Sequence, residues 1–401
     1  MQCQLDSIAL LRTVKAIKIA LDQLPEGLNE TYERILMKIP KSDTEMLQRV
    51  LTWLGFAVLP LTLEELHEAI AIEPGSDCLD EESRLSRPQD ILSLGNSLID
   101  ISEDGHVRLA HLSVRDYLLS EDVWKNETIS RFALGKAEAN QRLAISCLTY
   151  LSFRDLIAGP KDSLDAYIDR MARHPLLKYA STAWTYHVRA SEPDSELNTL
   201  ILDFFSASSR GKFMSWVQVL NADYHFKWDL YPRHATSLYY AASFGLGEAV
   251  TCLLSEGHDI DAPGSRFGGA PLHAAVLRHH VPVMKILLDA GANPSKADFN
   301  KATPLHTAVT HGNMEVIKML LEYGASKDAI DGMGGTPYDW ASKAGQTEVL
   351  KLLRGNKVEG NISVPSPSPP PADSVVWTRT VPCFYGRRSA LSFSSLKSVT
   401  S

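Results

Sequence analysis

Apolar residues recur at helical spacing along most of this chain, and in its last third the whole pattern repeats. Four segments restart it at Thr236, Ala270, Thr303 and Thr336, at intervals of 34, 33 and 33 residues. In each segment, turn-forming residues, mostly glycine, separate and then close two runs with apolar residues at i, i+3 and i+4. The pattern therefore predicts four copies of a helix–turn–helix unit, covering residues 236–269, 270–302, 303–335 and 336–358.

The third unit shows the role expected of each position. Thr303 is expected to cap the first helix through its hydroxyl, and Pro304 to occupy the first turn, where a missing N–H costs nothing. Leu305 is expected to face the core. A period of about 33 residues headed by T-P-L-H, which recurs in part at Thr336 and Pro337, is typical of ankyrin repeats. The resemblance implies an α-solenoid, residues 231–358, that binds proteins on a continuous surface.

Two histidines close the T-P-L-H heads, His273 and His306. No cluster of cysteines or carboxylates stands at metal-ligand spacing around either of them. The resemblance implies that each imidazole bonds the backbone of a neighbouring repeat. We therefore expect a structural role for both histidines, and we expect no catalytic residue, cofactor or metal in the chain.

The turns between the units carry side chains that are expected to be exposed, namely Arg266, Phe267, Phe299, Lys301 and Met333. Apolar residues on solvated turns are candidates for contact with a partner protein. Single exposed apolar residues are also common on surfaces that bind nothing. Both interpretations stay open at this stage. The hypothesis to be compared with the structure is that these five residues contact a partner protein.

Residues 22–130 predict a winged-helix-like domain with a small β-hairpin. The apolar pattern predicts helices around residues 28–36, 46–54, 63–72 and 91–98. Thr62 and Glu65 have the spacing of a capping box at the third of these helices. Residues 98–101 and 106–111 flank a turn that ends in glycine, which predicts the hairpin. Another helix should follow at once, with Ser113 as its N-cap.

Residues 131–230 predict an all-helical connector, with helices near 137–151, 163–171, 176–190 and 196–206. Five tryptophans outside the repeats are expected to pack in the core: Trp53, Trp124, Trp184, Trp216 and Trp228. The ends of the chain differ from the rest. Residues 1–21 predict one amphipathic helix, and the Pro/Ser-rich residues 359–401 predict a disordered or extended tail.

Composition and charge narrow the class of function. The 401 residues suffice for two or three domains, and five scattered cysteines fit a reducing compartment, so we expect a cytoplasmic protein, with the nucleus as the alternative. No apolar run approaches the length of a membrane span, and no signal peptide opens the chain. Residues 22–127 contain 22 acidic and 9 basic side chains, which disfavours nucleic acid as a partner.

Several segments together resemble a known family. Residues 24–36, 52–70 and 109–120 resemble the winged-helix segment of fungal NACHT–ankyrin proteins, which are NOD-like, signal-transducing NTPases. Residues 138–153 and 175–189 resemble the helical connector of that family. The family's phosphate loop, G-x-x-x-x-G-K-[ST], does not occur in this sequence. The resemblance therefore implies the C-terminal portion of such a protein, as a degenerate gene, a truncated gene model or a short adaptor.

His111 stands just before a predicted helix, in a context where related switch NTPases place a histidine on the nucleotide phosphate. A histidine beside a helix N-terminus suits contact with an anion. Since the nucleotide-binding domain is not in this sequence, we expect His111 to be packed or to cap the helix. A Ser–His catalytic pair with Ser113 is not expected, because no G-x-S-x-G motif is present.

Three functions compete at the level of sequence. The leading one is a non-catalytic ankyrin adaptor that binds another protein in a signalling or accessory regulatory role. The second is the C-terminal half of a NACHT ATPase, which would contact an NTPase domain intramolecularly or in trans. The third is a winged-helix transcriptional regulator. The sequence leaves open the partner, the oligomeric state and the pathway, whether self/non-self signalling, cell death or service to a biosynthetic gene cluster.

Overall fold

The computed structural model describes residues 27–354 apart from 81, 83, 193 and 223–226. The expected N-terminal helix and the expected tail lie outside the described residues. The described part is mostly helical, as the sequence predicts. In chain order its α-helices are α1 Leu28–Met37, α2 Thr44–Phe56, α3 Leu63–Ile70, α4 Asp90–Gly95, α5 Leu112–Leu118, α6 Glu121–Lys125, α7 Lys136–Leu151, α8 Arg154–Ile157, α9 Leu164–Arg173, α10 Leu177–Ala190, α11 Ser195–Phe205, α12 Arg210–Asn221, α13 Ser237–Ser243, α14 Gly247–Ser255, α15 Pro271–Leu277, α16 Val281–Asp289, α17 Pro304–His311, α18 Met314–Glu322, α19 Pro337–Lys343 and α20 Thr347–Arg354.

A small antiparallel sheet lies among the first helices. The predicted hairpin is present as β2 (Ile99–Ile101) and β3 (His106–Leu109), but β1 (Leu61–Thr62) adds a third strand on the other side of β3. Leu61 pairs with Val107, and Ile99 pairs with Leu109. The sheet therefore has one strand more than the predicted hairpin. Strand β1 was not predicted because two residues are too few to show an alternating apolar pattern.

The start of α3 follows from its sequence. Thr62 accepts a hydrogen bond from the Glu65 N–H (3.2 Å), and the Glu65 carboxylate accepts from the Thr62 N–H (2.8 Å). This reciprocal pair is the predicted capping box. Helix α1 buries Leu36 completely, whereas Leu28 at its first turn is 47% exposed.

The connector contains the four predicted helices and two that the sequence analysis did not separate, α8 and α12. Helix α12 supplies Phe213 and Trp216 to an aromatic cluster that also contains Trp184, Phe204 and Phe205. Trp53, Trp184 and Trp216 are buried, as expected. Trp124 is not, because half of its surface is exposed, and Trp228 is partly buried.

The repeats stack in register. The first helices α13, α15, α17 and α19 pack side by side, and α14 packs beside α16 in an outer layer. Glycines with positive φ turn the chain between and after the helices, at Gly245, Gly312 and Gly345 and at Gly257, Gly291 and Gly324. The second unit has His279 at the inter-helix position, with a φ of 58°, a conformation that histidine adopts more often than most non-glycine residues. Gly355 lies outside the described residues.

The aromatic cluster continues into the first repeat. The Tyr240 ring lies 5.2 Å from the Trp216 ring, and the Phe244 ring lies 5.6 Å from it, measured between ring centroids. The first repeat therefore packs on the connector, as a short stack requires if its first apolar face is to be buried. None of the described helices has the length and apolar character that a membrane crossing needs.

Candidate partner-binding surface

The turns that join the repeats form one continuous rim, which we call the tip edge. It consists of the loop 230–234 and the turns 265–268, 298–302 and 330–335. Hydrogen bonds tie each part to the next: His234 Nε2 lies 2.8 Å from the Ser265 carbonyl oxygen, Phe299 N–H donates to the Phe267 carbonyl (2.8 Å), and Gly332 N–H donates to the Asn300 carbonyl (2.7 Å). Side chains on successive turns are therefore held side by side.

All five residues proposed from sequence as partner contacts lie on the tip edge and are exposed. Phe267 is 44% exposed, Phe299 65% and Met333 81%, and Arg266 and Lys301 are also exposed. The Phe299 ring lies over Gly268, so closely that a Cβ at residue 268 would fall 2.3 Å from it. This support fixes the position of the ring and still leaves most of its surface to solvent.

Carboxylates shape the second and third turns from below. Asp298 accepts hydrogen bonds from the Asn300 and Ala302 N–H groups (2.8 Å each). Asp331 is buried and accepts from the Gly335 N–H (2.7 Å) and from the Trp340 indole N–H (2.8 Å). Although burial opposes ionisation, these donors lower the pKa of Asp331. Both turns are therefore rigid supports for the side chains above them.

Lys301 has a backbone conformation that lysine rarely adopts. Its φ is 58°, whereas Gly268 and Gly334 occupy the corresponding positions of the neighbouring turns, with φ of 75° and 83°. A non-glycine residue in the left-handed region carries strain of about 1 kcal/mol. The second turn therefore keeps a cationic side chain at a cost in stability that its neighbours avoid.

His273 and His306 each tie the head of their unit to the residue that directly precedes the next unit, just beneath the tip edge. His273 Nδ1 accepts from the Ala270 N–H (3.1 Å), so its Nε2 donates to the carbonyl of Ala302, the last residue before the third unit (3.2 Å). His306 repeats this arrangement with Thr303 and with Gly335. Burial lowers the pKa of both histidines, which keeps them neutral and in the tautomer that this bridge needs.

The heads of the units hold the other predicted structural residues. Thr303 and Thr336 are the N-caps of α17 and α19, and Pro304 and Pro337 follow in the first turn. The cap bond expected of the Thr303 hydroxyl is not made, because the hydroxyl bonds His306 Nδ1 instead (2.9 Å), whereas the Thr336 hydroxyl accepts from the Asp339 N–H (3.3 Å). These residues, together with the fully buried Leu305, position the tip edge without forming part of its surface.

The opposite rim of the stack is held by a second set of bridges, which the sequence analysis missed. His280 packs on Gly245 and lies 3.1 Å from the Ser243 carbonyl oxygen, and Gln346 packs on Gly312 and donates to the Thr310 carbonyl (3.4 Å). The middle junction lacks this arrangement in the described residues. There, His279 replaces the glycine, and its ring meets the His311 ring at a centroid distance of 5.0 Å.

His111 caps α5, which is one of the two roles expected for it. Its Nδ1 accepts from the Ser113 N–H (3.2 Å), and α5 begins at Leu112. The assignment of Ser113 as N-cap was therefore wrong. Because His111 satisfies the helix start, the Ser113 hydroxyl is left to bond His111 Nδ1 (2.6 Å) and the Tyr32 hydroxyl (2.7 Å), which links α5 to α1.

The described residues contain no group of three or more His, Cys, Asp or Glu side chains placed to hold a metal ion. Cys78, Cys147 and Cys252 are free thiols. The sequence analysis overlooked other members of the tip edge, namely Leu230, Arg233, His234 and Ile330. Their signal was present, since they directly precede the first unit or begin a turn, but the 33-residue alignment drew attention to the turn centres alone.

Comparison with known proteins agrees with this architecture. Residues 32–135 match the family described as "GPI inositol-deacylase, winged helix domain". Residues 204–298 and 291–364 match the family described as "Ankyrin repeats (3 copies)". The chain therefore contains a winged helix domain of this type and ankyrin repeats. The ankyrin match begins within α11, in the part of the connector that packs against the stack.

The chain is also similar to a curated protein, "Azaphilone pigments biosynthesis cluster protein L" of Monascus ruber. The two are 30% identical over 308 residues, which cover 70% of this chain and 63% of that relative. This chain thus spans less than two thirds of the relative's length.

Proposed function

We propose that this chain is a non-catalytic adaptor whose ankyrin stack binds another protein through the tip edge. The continuous row of exposed side chains on the linked turns carries this proposal. Ankyrin repeats support a protein-binding role, and a rigid row of exposed apolar residues is the kind of surface that partners cover. The resemblance to fungal NACHT–ankyrin proteins supports a role in signalling, and the pigment-cluster relative supports an accessory regulatory role.

Enzymatic activity is not part of the proposal. The histidines that invite a catalytic interpretation are engaged in structural bonds, His111 with the start of α5 and His273 and His306 with the backbone that leads into the next repeat. The sequence contains no phosphate loop with which to handle a nucleotide. Three free thiols fit a reducing compartment, so we place the protein in the cytoplasm or the nucleus.

The direct test is co-purification from the native cells with the tagged full chain. We expect Phe267→Ala/Phe299→Ala to reduce capture of a specific partner about tenfold or more, because exposed aromatic anchors dominate such interfaces. The matched control is Ile157→Ala/Ile168→Ala, which removes two exposed apolar side chains, 53% and 41% exposed, from the connector. Equal capture by the aromatic double variant and the wild type would refute the proposal.

The second candidate is the C-terminal part of a signal-transducing NACHT ATPase. The winged helix domain is of a type found in NACHT-associated proteins, which supports this alternative loosely. It makes a different prediction, since the chain would bind a separately supplied NTPase domain of its own protein through α1 and α5. A transcript that joins a phosphate-loop reading frame to Met1 would favour it, and saturable ATP binding by the chain alone would contradict the adaptor proposal.

A further inference from the structure

The apolar side chains of the tip edge form a row that is longer than the three positions proposed from sequence. Leu230 and Ile330, which are 45% and 61% exposed, extend the row formed by Phe267, Phe299 and Met333. The backbone bonds between the turns place these residues side by side along one rim. Contiguous exposed apolar surface of this kind marks a binding site, whereas single exposed residues do not.

The tip edge also carries three exposed cations. Arg233, Arg266 and Lys301 are exposed there. The Arg266 guanidinium lies 5.5 Å from the centre of the Phe267 ring and donates to the Leu230 carbonyl (3.2 Å), so it is held beside the apolar row. Lys301 lies in the second turn, between Phe299 and the turn that carries Met333.

The acidic groups of the turns do not neutralise this rim from outside. Asp298 and Asp331 point into their own turns, where backbone N–H groups bind their carboxylates. Asp229 and Asp328 are exposed carboxylates near Leu230 and Ile330, at the two ends of the rim. The three outward cations therefore face a partner over most of the row.

The rest of the molecule has a different charge pattern. The outer helices α16 and α18 expose both signs in alternation, with Lys285, Asp289, Glu315, Lys318 and Glu322. Residues 22–127 carry a strong acidic excess. A negatively charged partner would thus be repelled by the winged-helix part and attracted to the tip edge, which is how charge selects one face of a protein.

We propose that the tip edge binds an acidic linear segment of its partner protein, with aromatic or aliphatic side chains on the apolar row and carboxylates facing Arg266 and Lys301. This inference rests on the proposed function and specifies the chemistry of the partner. Nucleic acid is the poorer occupant, because three cations in an apolar rim neutralise few phosphates, and neutralised phosphates provide most of that affinity. The retention of strained Lys301 where neighbouring turns have glycine agrees with a role for its charge.

The test selects displayed random peptides of about twelve residues on the immobilised full chain. Three forms are compared: wild type, Arg266→Glu/Lys301→Glu, and the control Lys285→Glu/Lys318→Glu, which makes the same charge change on α16 and α18. We expect peptides enriched on wild type to be acidic and to contain an aromatic or aliphatic residue. The tip variant should bind them at least about fivefold more weakly, as the loss of about 1 kcal/mol predicts, and the control should bind them as wild type does.

The other possible outcomes would contradict the acidic partner segment alone, or the proposed function as well. Peptides that need Phe267 and Phe299 but carry neutral or basic side chains would overturn the acidic partner and leave the proposed function intact. Peptides that ignore the tip edge would overturn both. Binding of a fluorescent single-stranded oligonucleotide that Arg266→Glu/Lys301→Glu abolishes would assign the edge to nucleic acid. Sedimentation that shows tip-dependent dimers would assign it to a second copy of this chain.

Discussion

At the scale of single residues, Lys301 and His187 have unusual surroundings that affect the stability of the fold. Lys301 adopts a φ of 58° in a turn whose counterparts use glycine. His187 is fully buried and completes a chain of hydrogen bonds: its Nε2 accepts from the Tyr179 hydroxyl (2.9 Å), and its Nδ1 donates to Asn140 (2.9 Å). Tyr179 in turn accepts from the Val58 N–H (3.2 Å), which lies in the winged-helix part. Lys301 therefore carries backbone strain that glycine would avoid, and His187 joins two regions of the chain.

Replacing Lys301 by glycine should stabilise the protein by about 0.5–1 kcal/mol, because glycine adopts the left-handed conformation without strain. Lys301→Ala is the matched control, since it removes the charge and keeps the strain. Thermal unfolding of the three proteins measures the effect. A melting temperature of Lys301→Gly that does not exceed that of Lys301→Ala would show that the turn carries no strain.

Acid should destabilise the protein through His187 before its carboxylates titrate. Burial lowers the pKa of His187 to about 4, below its ordinary value of 6.5. Between these values the unfolded chain binds a proton that the folded chain does not, so stability is complete above about pH 6.5 and declines as pH falls to about 4. The decline from this group amounts to about 3 kcal/mol.

Denaturant unfolding at a series of pH values tests this, with His187→Gln as the variant that cannot titrate. The free energy of unfolding of His187→Gln should change less than that of wild type between pH 6.5 and 4. His273 and His306 contribute in the same direction in both proteins, since burial lowers their pKa as well. Parallel curves for the two proteins would contradict the assignment.

At the scale of elements, the repeats are held by bridges on both rims of the stack. One set uses the histidines of the T-P-L-H heads, and the other uses His280 and Gln346 against the glycines of the preceding unit. The second set explains why Gly245 must be glycine for two reasons. Its φ is 75°, and a Cβ there would lie 2.7 Å from the His280 ring.

Gly245→Ala should therefore cost more stability than Gly257→Ala. Both residues have positive φ, and both substitutions should cost about 1 kcal/mol for that reason. A methyl group on Gly257 would meet no described heavy atom within 4 Å, so Gly257→Ala is the control for backbone strain alone. Urea unfolding should show a larger loss in the free energy of unfolding for Gly245→Ala than for Gly257→Ala, because the added methyl group pushes His280 from the Ser243 carbonyl. Equal losses for the two variants would show that this bridge contributes nothing to stability.

The sequence was most informative where a pattern repeats and least informative where contacts are long-range. The four units and the prolines at their heads followed from the 33-residue period, and the bonds from His273 and His306 to backbone followed from the resemblance to ankyrin repeats. Strand β1 was missed because it has two residues. Ser113 was taken for the N-cap because serine is a common capping residue, although His111, which was also a candidate, makes the capping bond. The extent of the tip edge could not be predicted, since it depends on which loops meet across three turns and the segment before them.

At the scale of the molecule, the connector and the repeats share one core. Trp184 and Trp216 are buried in the connector, and Trp216 contacts Tyr240 and Phe244 of the first repeat. A stack of only a few repeats is marginally stable alone, because its terminal units bury apolar surface on one side only. The aromatic cluster provides the missing side for the first unit.

Trp216→Ala should therefore loosen the repeats as well as the connector. Truncation of a buried tryptophan costs about 3–5 kcal/mol. In Trp216→Ala, we expect amide hydrogen exchange to become faster in α12 and in α13 to α16 together. Trp53→Ala is the control, since it truncates a buried tryptophan of the winged-helix part and should leave exchange in α15 and α16 nearly unchanged. Unaltered exchange in α13 after Trp216→Ala would mean that the first repeat does not depend on this cluster.

The central claim is that a partner protein covers the tip edge of the ankyrin stack. Hydrogen exchange of the full chain with and without its co-purified partner tests it most directly, because it maps the covered surface without any substitution. We expect slower exchange in the turns 265–268, 298–302 and 330–335 when the partner is bound. Slower exchange confined to the outer helices α16 and α18, with unchanged turns, would contradict it.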